Sequence, residues 1–186
     1  MHDEEYANPG GIGIDFSDMD FSMINLEAKD ISFQGDSIMA EIRQLSCKEK
    51  SGFTLDDFST HAIVCPRGLS ADKLRITTDK SRLSMDLKFE YDSWNAYNYF
   101  LDSIRIQAVI EPSQLDMRDI IYFASDIDGM YDIIDFSGNV KGTVSSFSAR
   151  NFKFAFGNHT SFKGDIAMNG LPDVEETFFK LKIEEL

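Results

Sequence analysis

The sequence predicts a mainly β fold, an antiparallel meander of about ten strands forming a curved open sheet with two short covering helices. Three observations carry this expectation. Apolar and polar residues alternate with a period of two in run after run. Short turn-forming clusters separate the runs, and only two short segments show a helical period. The composition supplies large apolar faces, with 16 Phe among 186 residues and 42% hydrophobic residues overall.

The elements can be taken in chain order. Residues 1–20 are acidic and carry glycine, and they are expected to be a partly disordered N-terminal segment ahead of a single β-rich domain over residues 21–186. Ile24, Leu26 and Ala28 then alternate with Asn25, Glu27 and Lys29, and Ile38, Ala40 and Ile42 alternate with Met39, Glu41 and Arg43. The phase slips by one at Asp30 and again between Ile42 and Leu45, the signature of a β-bulge. The clearest strand is Leu83, Met85, Leu87, Phe89 and Tyr91, with Arg82, Ser84, Asp86, Lys88 and Glu90 on the other face. Ile104, Ile106, Ala108 and Ile110 follow, then Phe152, Phe154 and Phe156, then Phe179, Leu181 and Ile183. Gln34-Gly35-Asp36, Pro66-Arg67-Gly68, Asp79-Lys80, Gly157-Asn158 and Lys163-Gly164 supply turn chemistry between runs.

Two segments break the pattern. Asp92 is placed to cap a helix over Ser93–Asp102 with Trp94, Tyr97 and Leu101 on one face. Ser113 and Asp116 make a capping-box-like start for a second helix from Gln114 to Ala124, with Met117, Ile120, Ile121 and Ala124 sharing a face.

Charge excludes one class of partner. The formal net charge is −14, so phosphate backbones are repelled and nucleic acid is not an expected partner. Anionic headgroups are likewise disfavoured near the polar face. Cys47 and Cys65 each lie in phase with apolar neighbours and read as small buried hydrophobes rather than a disulfide. His2, His61 and His159 have no ligand spacing around them, so no metal or other cofactor is expected. Asp126, Asp128 and Asp132 resemble a calcium loop, but the twelfth position is Ser137 where a closing Glu is needed. Asn158-His159-Thr160 fits a glycosylation acceptor, a permissive pattern. Asp56-Asp57 are adjacent carboxylates of the kind common in acidic chains. No serine or cysteine sits in a nucleophile elbow, and no Gly-rich phosphate loop follows a strand. These residues predict a non-catalytic protein. There is no basic and apolar leader at the N-terminus and no run long enough to span a membrane, which fits either a cytoplasmic protein or a piece of a longer exported chain.

Alternation alone leaves two architectures open. Two such sheets can seal their apolar faces together as a β-sandwich, suited to a scaffold or adhesin. Alternatively, one curved sheet leaves its apolar face lining a groove.

A set of ordered phrases bears on this choice. They are Asp135-Phe136-Ser137-Gly138-Asn139-Val140-Lys141-Gly142, then Phe152 to Phe156 with Gly157, Thr160, Phe162 and Gly164, then Asn169-Gly170-Leu171-Pro172. Ile31 to Ile38 and Glu111 to Leu115 read in the same style. Across roughly Leu26 to Leu181 the chain resembles the AsmA-like and TamB-like proteins, the translocation and assembly module family of Gram-negative bacteria, and its acidic, Phe-rich style is that of Bacteroidetes members. The resemblance implies an internal, periplasmic segment of an inner-membrane-anchored chain, a taco-like groove, and a role in lipid transport or outer-membrane biogenesis with no catalytic residues. It implies phospholipid acyl chains as partners, along with the rest of the same long chain. Leu83, Met85, Leu87, Phe89, Ile104, Ile106, Ile110, Phe152, Phe154, Phe156, Phe162, Ile166 and Met168 are the expected groove lining. An alternative function is assembly of outer-membrane β-barrel proteins, with a client strand added at an open sheet edge.

Overall fold

A computed structural model describes residues 13–123, 131–157, 160–170 and 178–185. Ten strands form one sheet in sequence order, every neighbouring pair antiparallel. They are β1 (Phe21–Gln34), β2 (Ser37–Glu49), β3 (Thr54–Cys65), β4 (Gly68–Thr78), β5 (Arg82–Glu90), β6 (Arg105–Asp116), β7 (Ile133–Gly142), β8 (Ser146–Phe156), β9 (Thr160–Asn169) and β10 (Phe178–Glu185). The sheet does not close, and no second sheet faces it among the described residues, so the sandwich alternative is overturned. No helix among them is long and apolar enough to cross a membrane.

The period of two becomes rows of side chains running across the sheet. One row passes through Phe33, Ile38, Val64, Leu69, Phe89, Ile106, Gly142, Phe147 and Met168 on β1 to β9. The next passes through Ala40, Ala62, Ala71, Leu87, Ala108, Val140, Ala149, Ile166 and Leu181 on β2 to β10. Alanine dominates this second row, and small side chains there let the larger flanking rows converge over the inside of a bend. A row on the opposite face is polar, with Ser70, Lys88, Gln107, Lys141 and Ser148.

The bend has a source in the register. β2, β4, β6 and β8 each carry one more residue than both neighbours, between Ile42 and Leu45, Ala71 and Leu74, Ile110 and Ser113, and Ala149 and Phe152. The slips read from the sequence at Asp30 and at Ile42–Leu45 are both present, and Asp30 has a φ of 51°. A bulge bends its strand and increases its twist. Here the bulges flank one common row through Ile42, Leu74, Met85, Ile110 and Phe152, just before it in β4 and β8 and just after it in β2 and β6, so alternate strands bend on either side of the same row. The freed backbone N–H groups are taken up locally. Lys73 N donates to Asp86 Oδ1 at 2.7 Å, and Asn151 N donates to Asp165 Oδ1 at 3.0 Å. The matching position of β6 is Pro112, which has no N–H to satisfy.

The glycines of the 135–142 phrase have a steric role. Gly138 and Gly142 sit at φ near +144° and +142°, and a Cβ on Gly142 would lie 2.2 Å from Ser146 O and 2.5 Å from the Cα of Phe147. Bare backbone there lets the facing strand approach with its phenylalanine against the glycine.

Both expected helices shrink. The first is a 3₁₀ turn, Trp94–Tyr99, running into a four-residue α1, Phe100–Ser103. Ser93 rather than Asp92 is its N-cap residue, without a side-chain capping bond. The second is only α2, Met117–Ile120, capped by Asp116, whose side chain accepts from Arg118 N. Residues 113–116 extend β6 instead, because Ser113, Gln114, Leu115 and Asp116 pair with β7. Pairing satisfies one backbone group after another along the strand, which outweighs a weak capping pattern. Residues 1–12 of the N-terminal segment, Ala124, the 126–130 part of the calcium-like loop, Asn158, His159, Leu171 and Pro172 lie outside the described residues.

Cys47 and Cys65 are unbridged and half-buried. Cys47 faces Leu55, ten residues along β3 from Cys65, or roughly 30 Å at strand spacing, far beyond disulfide reach.

Candidate functional site: an apolar groove

The side chains of β6 to β10 surround a cavity of about 730 Å³. β6 supplies Ile106 and Ile110, β7 supplies Phe136 and Val140, and β8 supplies Phe147, Ala149, Phe152 and Phe154. β9 contributes Thr160, Phe162, Ile166 and Met168, and β10 contributes Leu181 and Ile183. Thr143 and Val144 of the β7–β8 turn complete it. Two threonine hydroxyls are thus the only polar side-chain groups in the lining among the described residues. Phe152, Phe154 and Phe156 stack in series, with centroids 6.4 Å apart at each step. Phe136, Phe154 and Phe162 stand side by side on three consecutive strands.

Seven of the residues expected from sequence line this cavity: Ile106, Ile110, Phe152, Phe154, Phe162, Ile166 and Met168. Met85, Leu87 and Phe89 face Ile110, Ala108 and Ile106, so they share the apolar face one strand outside the cavity. Leu83 has the same phase, opposite Ile76. Phe156 lies just past the lining, opposite Ile134 and Thr160. Ile104 is different. It is fully buried at the end of α1, before β6 begins, and it anchors that turn instead of offering itself to an occupant.

Phe136, Val140, Thr143, Val144, Phe147, Ala149, Thr160, Leu181 and Ile183 were not anticipated as lining. Leu181 and Ile183 carried a usable signal, since their alternation in β10 was legible. Phe136 and Val140 are masked in sequence by the glycine between them. Thr143 and Val144 belong to a turn, which no periodicity marks.

The strand ends form two rims. At the first rim, residues 121–123 reach from the β6 side to the β2–β3 turn. Phe53 meets Tyr122 and Phe123 with ring centroids 5.6 and 5.1 Å apart, and Ile14 N donates to Tyr122 O at 2.8 Å. β2 and β6 are four strands apart, about 19 Å on a flat sheet, so this segment straps the rim. It is pinned by buried polar groups. Asp119, nearly fully buried, accepts hydrogen bonds from Thr78 Oγ1 at 2.6 Å and from Ser81 Oγ, with Lys80 Nζ at 3.8 Å from its other oxygen. Arg118 grips the buried Asp116 carboxylate through both Nε, at 2.8 Å, and Nη2. The hydrogen bonds from the Arg118 side chain hold that carboxyl below its ordinary range, against the opposing effect of burial.

At the second rim the 3₁₀ turn and α1 form an aromatic lobe. Tyr91 is 3% exposed, and its hydroxyl donates to the carbonyls of Cys65 and Gly68 at 3.0 and 3.1 Å. Burial pushes that hydroxyl well above its ordinary pKa. Its ring packs on Trp94 and Tyr97, Tyr97 packs on Phe100, and Phe100 packs edge-on against Phe89 of the groove face.

No group of three or more metal-ligating side chains occurs among the described residues. No protein-family model, curated protein or solved structure matches the chain.

Proposed function

We propose that this chain is a non-catalytic, lipid-holding segment of a periplasm-spanning protein, its groove solvating acyl chains between the inner and outer membranes. The observation that carries the reading is a cavity of about 730 Å³ with only two hydroxyls among the described residues that line it, on a sheet whose apolar rows continue beyond it. The ordered family-like phrases support it too. An acyl chain leaving water for such a surface gains about 0.8 kcal/mol per methylene. It gains a similar amount in a bilayer, so exchange between the two is close to balanced. With almost no fixed polar groups to orient a ligand, the groove suits chains that slide rather than a ligand held in one pose.

Photocrosslinking residues placed at Phe154 and Ile106 test this in cells. Lipid adducts are expected at both, and Phe154→Glu or Ile106→Glu is expected to abolish lipid passage with the fold intact. Absence of lipid adducts at both positions would sink the reading.

A second reading has its own support. β1 and β10 each have one side unpaired within the described sheet, and β1 exposes Ile24, Leu26, Ile31 and Phe33. Such an edge can accept a client strand of an outer-membrane β-barrel protein. Crosslinks from β1 to a nascent barrel, with none from the groove to lipid, would favour this reading over the first.

A further inference from the structure

We infer that the aromatic lobe at the second rim is a membrane-contact surface that seats in the headgroup region of a bilayer without net negative charge, next to the groove. Its composition points there. From Ser93 to Leu101 the chain runs nine residues without a charge, in a protein of net charge −14. Trp94 is 52% exposed and Tyr99 71%, with Tyr97 and Leu101 also exposed. Trp and Tyr join an apolar ring to a polar tip, the combination that favours the boundary between headgroups and acyl chains.

The lobe is also held rigidly in an outward pose. Tyr91 N donates to Arg67 O at 3.2 Å on the β3–β4 side. Ser145 N and Oγ donate to Leu101 O at 3.0 and 3.2 Å on the β7–β8 side. Ile104 is fully buried beneath it. A lobe braced on both sides, with Trp94 and Tyr97 packed on Tyr91, holds those rings in place before any contact, which lowers the entropy cost of docking. Its inner end is continuous with the groove, through Phe100 against Phe89 and Phe89 opposite Ile106. A chain leaving the bilayer at the lobe would therefore meet apolar side chains all the way to the cavity. Charge selects the bilayer, because the acidic protein, with exposed Asp92 and Asp102 flanking the uncharged 93–101 run, is repelled by anionic headgroups and not by zwitterionic ones.

The purpose of this contact rests on the lipid-groove reading, but the contact itself is measured separately. Trp94 is the sole tryptophan, so its emission reports on the lobe alone. With phosphatidylcholine vesicles, Trp94 emission is expected to shift to shorter wavelength and to be quenched by a spin label near the headgroups, and the chain is expected to float with the vesicles. Tyr99→Ser with Leu101→Ser removes two exposed side chains and is expected to weaken flotation by about tenfold with an unchanged circular dichroism spectrum. Phe154→Glu, which tests the groove, is expected to leave both signals unchanged. Replacing phosphatidylcholine by phosphatidylglycerol at low salt is expected to reduce binding. An unshifted Trp94, undiminished flotation of the double variant, or tighter binding to the anionic vesicles would overturn the inference.

Discussion

Removal of the Asp119 carboxylate tests how the first rim is strapped. The residue is 4% exposed, and its side chain ties α2 to the β4–β5 turn through Thr78 and Ser81. Those hydroxyls are themselves committed. Thr78 Oγ1 accepts from Ser81 N at 2.8 Å and Lys80 N at 3.1 Å, and Ser81 Oγ accepts from Asp116 N at 3.0 Å. Asp119→Ala therefore strands two buried donors that have no easy rotation to a new acceptor. Hydrogen bonds to an ionised group contribute about 1.5–3 kcal/mol each, and partial relaxation and the proximity of solvent at a rim reduce the sum. The expected loss is about 3 kcal/mol. Both hydroxyls donate to the same oxygen, Oδ2, so Asp119→Asn keeps that acceptor without its charge and is expected to cost about half as much. Urea unfolding followed by circular dichroism gives both values, with equal slopes confirming a comparable transition. A loss under about 1 kcal/mol for the Ala variant would show that the strap is held by the Phe53 aromatic contacts and not by this network.

Two further outcomes follow from the same geometry. Gly142→Ala places a Cβ 2.2 Å from Ser146 O at a positive φ, and thermal unfolding is expected to show a loss of about 3 kcal/mol or more from strain and clash together. Asp116 has its carboxyl depressed below the ordinary value of 3.8 in the folded state. Its contribution is therefore fully present above that value and is lost as the pH falls through the lower folded one. Urea midpoints measured from pH 7 down to pH 3 are expected to fall more steeply for the parent chain than for Asp116→Asn, and parallel curves would show that the Arg118 pair carries no acid-sensitive stability.

Much of the fold was legible because a strand's periodicity is local. The side-chain phase of Leu83 to Phe89 is fixed by the alternation of two faces, and no distant residue is needed to see it. The bulges at Asp30 and Ile42–Leu45 showed themselves the same way, as a slip in phase. The bulge between Ala71 and Leu74 did not, because its two residues, Asp72 and Lys73, are both polar and hide the extra residue. It becomes evident only when Ala71 and Leu74 are set opposite Leu87 and Met85. The two helices were overextended for a related reason. Ser113 and Asp116 look like a cap in isolation, but the ladder to Phe136 and Ile133 claims those residues for β6.

The sequence by itself determined that this protein has strands with one apolar and one polar face, and which residues lie on each. Only the tertiary structure decided whether the apolar faces meet each other or stay open. Both outcomes use the same alternating pattern, so their difference lies in curvature and in what stands across from the sheet. Here alternate strands each carry an extra residue on one side or the other of a common row, which bends them, and the neighbouring alanine row leaves room for the larger side chains. The groove is thus a property of register summed over ten strands, and no single stretch of the chain carries it.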